Sequence, residues 1–484
     1  MRKLFSIGSL FLVAALGGCA IGPDYKRPAP VPDQPVPKSF SSFTTNGVTW
    51  KVAEPSAQVA RGDWWRMFGD AELNRLETLA LTNNQNLAAA AAHMRQSRDL
   101  LSAARSEFYP QLTAGGTPNG DITRQRTSMN EPENGKAAGV VHTYYTFTAP
   151  LYLGWEIDLW GRVRRESEAA KDQYRASAAD LASARLAIAA EVANDYFSVR
   201  ELEAEYDLIT NTITTYQHSL DLTQNRRRGG IVTDLDVAQA ETQLRTAEAQ
   251  SPDIQMRRAQ ALHALAITCG ESPVGFAIAT NSPEEVVEPE VPASLPSELL
   301  EQRPDISSAE LQMAAANAQI GVEKAAFFPT VKIDGLAGLQ SVSAGTWFNP
   351  ASRFWSVGPS VTLPVFTGGL NRANLAAAHA AYDGTVASYR QTVLGAFGEV
   401  EDALAAQHWL AEEWTADTAA VTAAQRELEI ANNRYKAGLV TYLDVATAQT
   451  QALTVEYSAV ELQAARSTAA VNLVKSLGGG WNTK

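Results

Sequence analysis

Glu156 and Asp158 are the only residues of this sequence that we weigh as a catalytic pair. They lie two apart on a predicted strand and share one face of it, as the paired carboxylates of a hydrolase do. A pair solvated in a pore or a loop is the preferred interpretation. The six histidines are scattered, without the helical spacing of metal ligands (His93, His142, His218, His263, His379 and His408).

Other signatures of enzyme chemistry are missing from the sequence. It contains no phosphate-binding P-loop, nucleophile elbow or dinucleotide fingerprint. Two cysteines are too few for a four-thiolate zinc site or a disulfide scaffold, and Cys269 beside Leu265 and Ile267 is typical of a small buried apolar side chain. The prediction is therefore a protein that is not an enzyme, with no catalytic residue, metal or cofactor.

Composition and charge exclude two further classes. The 484 residues are 45% hydrophobic and 19% charged, which suffices for a large core. A formal charge of −13 argues against a nucleic-acid partner, which needs a basic face to neutralise phosphates. Beyond residue 18 no uncharged apolar run is long enough to span a bilayer as a helix, which excludes a helical membrane protein.

The first residues resemble a bacterial lipoprotein leader. Arg2 and Lys3 precede an apolar stretch, and the small residues Gly17 and Gly18 stand just before Cys19. We expect residues 1–18 to be a signal peptide and Cys19 to be lipidated; a plain cleaved signal is the alternative. Because Ala20 is not the Asp that resembles an inner-membrane retention signal, the outer membrane is the expected location. Residues 19–62, rich in Pro and polar residues, predict an extended tether.

An internal repeat organises the remainder. Residues 225–243 and 433–451 share twelve identical positions at an offset of 208, and Phe108-Tyr109-Pro110 matches Phe327-Phe328-Pro329 at an offset of 219. The difference between the offsets places a longer loop at 118–140 than near 342–353. We predict a first repeat at 63–282, a Pro- and Glu-rich linker at 283–302 and a second repeat at 303–484.

Each predicted repeat has the same order of elements. A helix (about 71–107; about 304–326) ends at the aromatic-aromatic-Pro breaker, and two strands and a very long helix follow. Arg162 to Arg228 contains no Pro or Gly and predicts one helix of about 100 Å; Leu370 to Ala437 repeats it. Four strands per chain cannot close a barrel in lipid, so subunits share a barrel or the strands are not membranous.

These elements carry motifs that resemble the TolC/OprM-type outer-membrane efflux channels, in the lipoprotein branch called NodT. Gly22-Pro23-Asp24-Tyr25-Lys26-Arg27-Pro28 is similar to that branch's opening. Trp64-Trp65, Arg303-Pro304-Asp305-Ile306, Leu363-Pro364-Val365-Phe366 and the paired Leu-Asp-Val segments also match, in the right order along the mature chain.

The resemblance implies a fold and partners. Three copies are expected to form a shared twelve-stranded β-barrel in outer-membrane lipid, four strands per chain, continued by a long α-helical barrel across the periplasm. A periplasmic adaptor (membrane fusion protein) and an inner-membrane pump, often of the RND type, are the expected partners. The implied function is the outer-membrane component of a tripartite efflux pump, through which small molecules such as drugs leave the cell.

Two sets of residues near the helical reversals follow from the repeat and the resemblance. Gly229, Gly230 and Gly438 suit the left-handed conformation that ends helices. With them, the expected adaptor-binding tip comprises Arg226, Val232, Thr233, Arg434, Val440 and Thr441. The resemblance implies a gate at Leu235, Asp236, Tyr435, Leu443 and Asp444, in which Asp236 bonds Tyr435.

Two other functions remain open from the residues alone. One is the outer-membrane duct of a type I polypeptide secretion system, which the lipobox disfavours. The other is a lipid-anchored coiled-coil scaffold without a pore.

Overall fold

The structure is a computed structural model that describes residues 20–29, 62–116, 121–129, 138–279 and 303–479. Cys19, most of the predicted tether and the predicted linker lie outside these residues. The described residues form two compact units. Residues 20–28, 94–176 and 309–388 belong to the strand unit; the other described residues belong to the helical unit.

The helices repeat in length as the sequence does. The α-helices are α1 (Ala71–Asn83), α2 (Gln85–Ser106), α3 (Arg162–Arg228), α4 (Asp234–Thr268), α5 (Pro304–Ala325), α6 (Leu370–Lys436) and α7 (Tyr442–Ser476). Helices α3 and α6 both have 67 residues, and α4 and α7 both have 35. The two predicted long helices are thus confirmed. None of the described helices is both long and apolar enough to cross a bilayer.

One helix predicted as continuous is two helices in the structure. The stretch predicted as one helix over 71–107 is interrupted at Asn84, whose backbone is extended. Its side-chain oxygen accepts hydrogen bonds from the backbone N–H groups of Asn86 (2.8 Å) and Leu87 (3.1 Å), so it caps α2. The side-chain amide also donates to the carbonyl oxygen of Thr268 (2.8 Å), which fixes the break against the end of α4.

The strands form one antiparallel sheet. They are β1 (Gln111–Ala114), β2 (Asp121–Met129), β3 (Ala138–Ile157), β4 (Thr330–Ser341) and β5 (Arg353–Thr362). The order is β1-β3-β4-β5, and β2 pairs with the first part of β3 while β1 pairs with residues 151–154. Because β1 and β2 occupy one strand position in succession, the sheet has the four predicted positions.

Two strand ends differ from the prediction. The predicted second strand of the second repeat runs to Phe366, but β5 stops at Thr362, two residues before Pro364, which has no N–H to donate. Strand β3 ends at Ile157, so Asp158 lies beyond it and Glu156 alone belongs to the strand. The prediction that both carboxylates lie on one strand is therefore wrong.

The register gives the sheet one apolar and one polar face. Leu153 of β3 lies opposite Leu112 of β1 and Gly335 of β4, and their neighbours alternate from there. The apolar face carries large side chains that are exposed in the single chain: Leu112, Leu151, Trp355, Val357 and Val361. The polar face carries Glu156, Lys332, Asp334, Ser356 and Ser360.

The core of the helical unit contains a buried acid. Trp64, Trp65 and Phe68 pack with apolar residues of α1, α3, α4 and α7, and Glu77 of α1 is completely buried, with neither carboxyl oxygen hydrogen-bonded within the described residues. Burial, with a smaller contribution from the charge of Asp63, raises the pKa of Glu77 to about 9. At neutral pH the folded chain therefore keeps this side chain protonated.

This burial predicts that stability falls as pH rises. An unfolded Glu titrates near 4.5 and the folded one near 9, so between these values the folded state binds the extra proton and each pH unit costs up to about 1.4 kcal/mol. We expect Glu77→Gln to flatten the loss of thermal stability between pH 5 and pH 9, measured by circular dichroism. In the control Glu72→Gln, which removes a carboxylate whose pKa is lowered by Arg75, the dependence should persist. An unchanged slope in Glu77→Gln would contradict this account.

Candidate functional site

The two helical reversals have the same backbone construction. At the end of α3 the N–H of Gly230 donates to the carbonyl of Arg227 (2.9 Å) and that of Ile231 to the carbonyl of Arg226 (3.0 Å). At the end of α6, Gly438 donates to Tyr435 (2.9 Å) and Leu439 to Arg434 (2.9 Å). This is the Schellman arrangement, which satisfies the last carbonyls of a helix and turns the chain within a few residues.

The predicted glycines divide into two kinds. Gly230 and Gly438 have φ values of 69° and 76°, in the left-handed region that disfavours other residues. Gly229 is not among the positive-φ glycines, and a Cβ atom there would meet only ordinary contacts, the nearest 3.5 Å away. The left-handed conformation predicted for Gly229 is therefore wrong, because the reversal needs it at one residue only.

Asp236 and Asp444 hold the start of the returning helices. Asp236 accepts from the backbone N–H (2.8 Å) and the hydroxyl (2.6 Å) of Thr233, and Asp444 accepts from the same groups of Thr441 (3.0 and 2.8 Å). These bonds lower the pKa of Asp444; for Asp236, burial opposes the shift but the bonds outweigh it, so its pKa is lowered too. Both acids are thus ionised caps of α4 and α7.

The expected hydrogen bond between Asp236 and Tyr435 is absent, and this expectation is wrong. The Tyr435 hydroxyl lies 3.2 Å from the hydroxyl of buried Thr223. Arg226 lies over the Tyr435 ring at 4.6 Å and donates to the Tyr435 carbonyl at 2.6 Å. Asp236 instead bonds Thr233, a partner three residues away that needs little ordering, and it also has a backbone hydrogen bond with Tyr442 of the second reversal.

The repeat-equivalent residues beside the reversals have diverged. In the first repeat Arg227 and Asp234 form an exposed two-pronged ion pair, at 2.6 and 2.8 Å. At the equivalent positions of the second repeat, Tyr435 and Tyr442 form a buried edge-to-face ring pair with centroids 5.6 Å apart. The contacts of Arg226 and Thr223 with Tyr435 join the two reversals, so the structure brings the predicted tip residues of both repeats together.

The joined reversals expose a set of aliphatic side chains that we call the tip surface. Ile231 and Leu439 are equivalent in the repeat, as are Leu235 and Leu443, and all four are more than half exposed. Val232 and Val440 instead pack partly against the tyrosine core beneath. Ile231 and Leu439 were missing from the residues expected at the tip. The signal for them was an aliphatic residue directly after the reversal glycine in both repeats.

The acids weighed as a hydrolase pair have separate partners. Arg162 donates to Glu156 (2.9 Å) and also pairs with Glu107 (2.7 Å), while Asp158 accepts from the backbone and side chain of Arg164 (2.9 and 3.2 Å). Glu156 shares Arg162 with Glu107 and Glu166, whereas Asp158 pairs with Arg164, and these ion pairs tighten the connection from β3 to α3. Nor do the described residues contain a cluster of His, Cys, Asp or Glu that would hold a metal ion.

A sheet with one apolar face, joined to duplicated long helices, defines a class of membrane channel. A family model described as outer membrane efflux protein matches residues 76–271 and 295–479. The chain belongs to this family: it is an efflux channel of the outer membrane and not an enzyme. The efflux-channel resemblance found in the sequence is confirmed, whereas its lipoprotein branch stays a prediction.

Individual relatives agree over their whole length. OprJ of Pseudomonas aeruginosa, an outer membrane protein, is 34% identical, with 100% of this chain and 97% of OprJ covered. The solvent efflux pump outer membrane protein SrpC of Pseudomonas putida is 34% identical, with 98% of each chain covered. Among solved structures, the outer-membrane channel OprN superposes with a TM-score of 0.84 at 28% identity, covering 96% of this chain and 100% of that chain.

The open state of the MtrE outer membrane channel of Neisseria gonorrhoeae superposes with a TM-score of 0.76 at 28% identity, covering 96% of this chain and 98% of that chain. The fold of long helices and four strand positions is thus that of solved outer-membrane channels.

The two glycines of the first reversal provide a matched pair of substitutions. Gly230→Ala forces a Cβ atom into the left-handed conformation at a cost of about 1 kcal/mol, whereas Gly229→Ala meets no such strain. We expect hydrogen exchange at residues 231–236 to accelerate about fivefold in Gly230→Ala and to stay unchanged in Gly229→Ala. Equal exchange rates in the two variants would show that the reversal does not depend on the left-handed residue.

Proposed function

We propose that three copies of this chain form one continuous duct from the periplasm through the outer membrane. The observation that carries this proposal is the sheet, whose exposed apolar face suits lipid and whose opposite face carries Lys332, Asp334 and Ser360 for water. Its four strand positions end in β1 and β2 on one side and β5 on the other. Lipid does not tolerate such edges unpaired, and three copies supply twelve strands for one closed barrel.

The long helices extend the proposed duct. Helices α3 and α6 start within a few residues of the sheet and reverse at the tip. Each chain contributes these two long helices and their returning partners α4 and α7. In a threefold assembly these helices can form the wall of an α-helical barrel across the periplasm.

The tip surface is the proposed contact with a periplasmic adaptor, and through it with an inner-membrane pump of the RND type. Its four exposed aliphatic residues lie beside exposed Arg434 and the Arg227–Asp234 pair. An apolar patch with charged neighbours is typical of a protein contact. The names of relatives such as SrpC refer to solvents, and we propose small organic molecules as the exported class.

The functional test is whether the purified chain makes a pore. In detergent we expect a mass of three copies, and in planar bilayers an ion conductance that the heat-denatured protein does not give. Deletion of the gene should also make cells more sensitive to organic solvents or antibiotics, and the intact gene should restore resistance. A trimer that never conducts would favour the scaffold without a pore.

The proposed resting gate is a constriction at the tip made by Leu235 and Leu443. Both side chains are exposed and repeat-equivalent, and each precedes a capping acid that fixes its place on the helix. Since Asp236 and Asp444 are engaged as caps, we assign the narrowing to the leucines and to the acids the rigidity of the reversal. Tyr435 contributes by tying the two reversals together.

The gate predicts a rise in conductance when polar groups replace the leucines. We expect Leu235→Ser with Leu443→Ser to increase single-channel conductance severalfold, because a constriction lined by hydroxyls stays wet. The control is Leu222→Ser, an exposed leucine of α3 before the reversal. Wild-type conductance in the double variant, with normal assembly, would place the constriction elsewhere.

The proposed lipid anchor at Cys19 is supported by the residues that follow it. The N–H of Ile21 donates to the carbonyl of Trp160 just after β3 (2.9 Å), and Arg27 binds both carboxyl oxygens of Glu310 (2.6 and 2.5 Å). These contacts bind the residues that follow Cys19 in the sequence to the strand unit.

We expect the wild-type chain to incorporate radiolabelled palmitate and Cys19→Ser to lose the label. Cys269→Ser is the control, because the Cys269 thiol is buried in the core. Labelling that persists in Cys19→Ser would refute the anchor.

A further inference from the structure

The two outer edges of the sheet are repeat-equivalents of two strands that pair inside the chain. Strand β3 ends the first repeat's sheet segment and β4 begins that of the second; β5 and β1 are their respective equivalents. Both sequence offsets hold at the helices: α3 and α6 begin at an offset of 208, and α2 and α5 end at an offset of 219. Gly161 and Gly369, which are related by the first offset, both have positive φ values, of 83° and 92°.

The internal pairing therefore gives a register for the edges. In the β3–β4 ladder Ile157 lies opposite Val331, and Trp155 lies opposite Ile333. Moving β3 forward by the first offset and β4 back by the second places Val365 opposite Leu112 and Leu363 opposite Ala114. Leu363, Val365 and Leu112 are 54%, 90% and 67% exposed in the single chain.

We infer that β5 of one copy pairs with β1 of a second copy in this register, with Val365 opposite Leu112 and Leu363 opposite Ala114. This inference rests on the proposed threefold assembly and specifies its seam. The register passes an independent check on the sheet faces: even positions of β1 and odd positions of β5 lie on the apolar face. The inferred pairs thus continue that face across the seam. The extended path of β5 then continues from Thr362 to Val365, with Pro364, which has no N–H to donate, opposite Thr113.

An aromatic contact inside the chain has only one of its two rings at the equivalent place in the seam. Trp160 stacks on Phe328 with ring centroids 5.0 Å apart, and its indole N–H donates to the carbonyl of Pro329 (2.7 Å). The repeat-equivalent of Phe328 is Tyr109, which is 71% exposed. The equivalent of Trp160 is Gly368, which has no side chain to cover it.

Phe366 supplies the missing ring. It lies two residues before Gly368 and is 91% exposed. If the inferred register continues to Gly368, Gly368 lies opposite Tyr109 and Phe366 is the diagonal neighbour of Tyr109. An aromatic side chain spans that separation in an antiparallel ladder. The seam therefore places Phe366 of one copy against Tyr109 of the next, over the space that Gly368 leaves open.

Cysteine cross-linking of the full chain tests the register. With Cys269 replaced by Ala, we expect Ala114→Cys with Leu363→Cys to oxidise into covalent dimers and trimers. The internal equivalent, Trp155→Cys with Ile333→Cys, is the matched control and should give a cross-linked single chain. Ala114→Cys with Val361→Cys or Val365→Cys, shifted by two residues on the same face, should cross-link at least fivefold more slowly. Faster cross-linking by a shifted pair would overturn the register.

Phe366→Ala and Tyr109→Ala test the ring contact. If the rings touch, each substitution lowers the temperature at which trimers dissociate in mild detergent, and the double variant falls no further than the more sensitive single variant. Purely additive shifts would overturn the contact.

The mass of the wild-type protein in detergent distinguishes a wrong seam from a wrong duct. A trimer whose cross-links follow a shifted register refutes the seam and leaves the proposed duct intact. A wild-type chain that stays monomeric refutes the duct itself.

Discussion

Every backbone N–H and C=O group needs a hydrogen-bond partner, and strands at the edge of a sheet meet this requirement on one side only. The rest of this structure depends on how that requirement is met. Strand β3 pairs with β2 over residues 138–146 and with β4 over residues 147–157, and at residues 151–154 it also pairs with β1 on its other side. The outer positions have partners on one side only within the described chain. In lipid, where water offers no alternative partner, such an arrangement is stable only as part of a larger closed sheet. The exposed apolar face and the proposed assembly of three copies both follow from this requirement.

At the other end of the long helices the same demand is met locally. The reversal after α3 closes its own carbonyls with the N–H groups of Gly230 and Ile231, and Thr233 with Asp236 closes the first turn of α4. No external partner is required for the backbone, so the side chains of Ile231 and Leu235 are free to face outward. Within the described chain the backbone hydrogen bonds are thus satisfied at the tip, whereas the outer strands of the sheet keep one unpaired edge each.

Most of this architecture could be predicted from the sequence because its clearest patterns exclude other secondary structures. A stretch without Pro or Gly from Arg162 to Arg228 leaves little alternative to one helix, and the structure has that helix with those bounds. The family and the order of elements followed from motifs at two constant offsets. The break at Asn84 was missed because an Asn inside an otherwise helical stretch does not by itself end a helix. Its cap of α2 is local, but the hydrogen bond that fixes the break goes to Thr268, which is distant in sequence.

The candidate site was harder to predict than the fold. Residue types locate the reversal, but they do not decide which of two neighbouring glycines takes the left-handed conformation. Nor do they decide whether Asp236 bonds the hydroxyl of Tyr435 or the hydroxyl of Thr233, three residues away. Those choices depend on free-energy differences of about 1 kcal/mol between local geometries. A pattern of residue types does not reveal differences of that size.

The divergence between Arg227–Asp234 and Tyr435–Tyr442 gives the two halves of the chain different sensitivities to their surroundings. An exposed ion pair weakens as ionic strength rises, because counterions screen it within about 8 Å at physiological salt. A buried ring pair is almost indifferent to salt and holds its geometry. The first reversal is therefore the compliant member and the second the stiff one. In the proposed trimer, compliant and stiff hairpins would alternate around the aperture, so that widening would use three hinges rather than six.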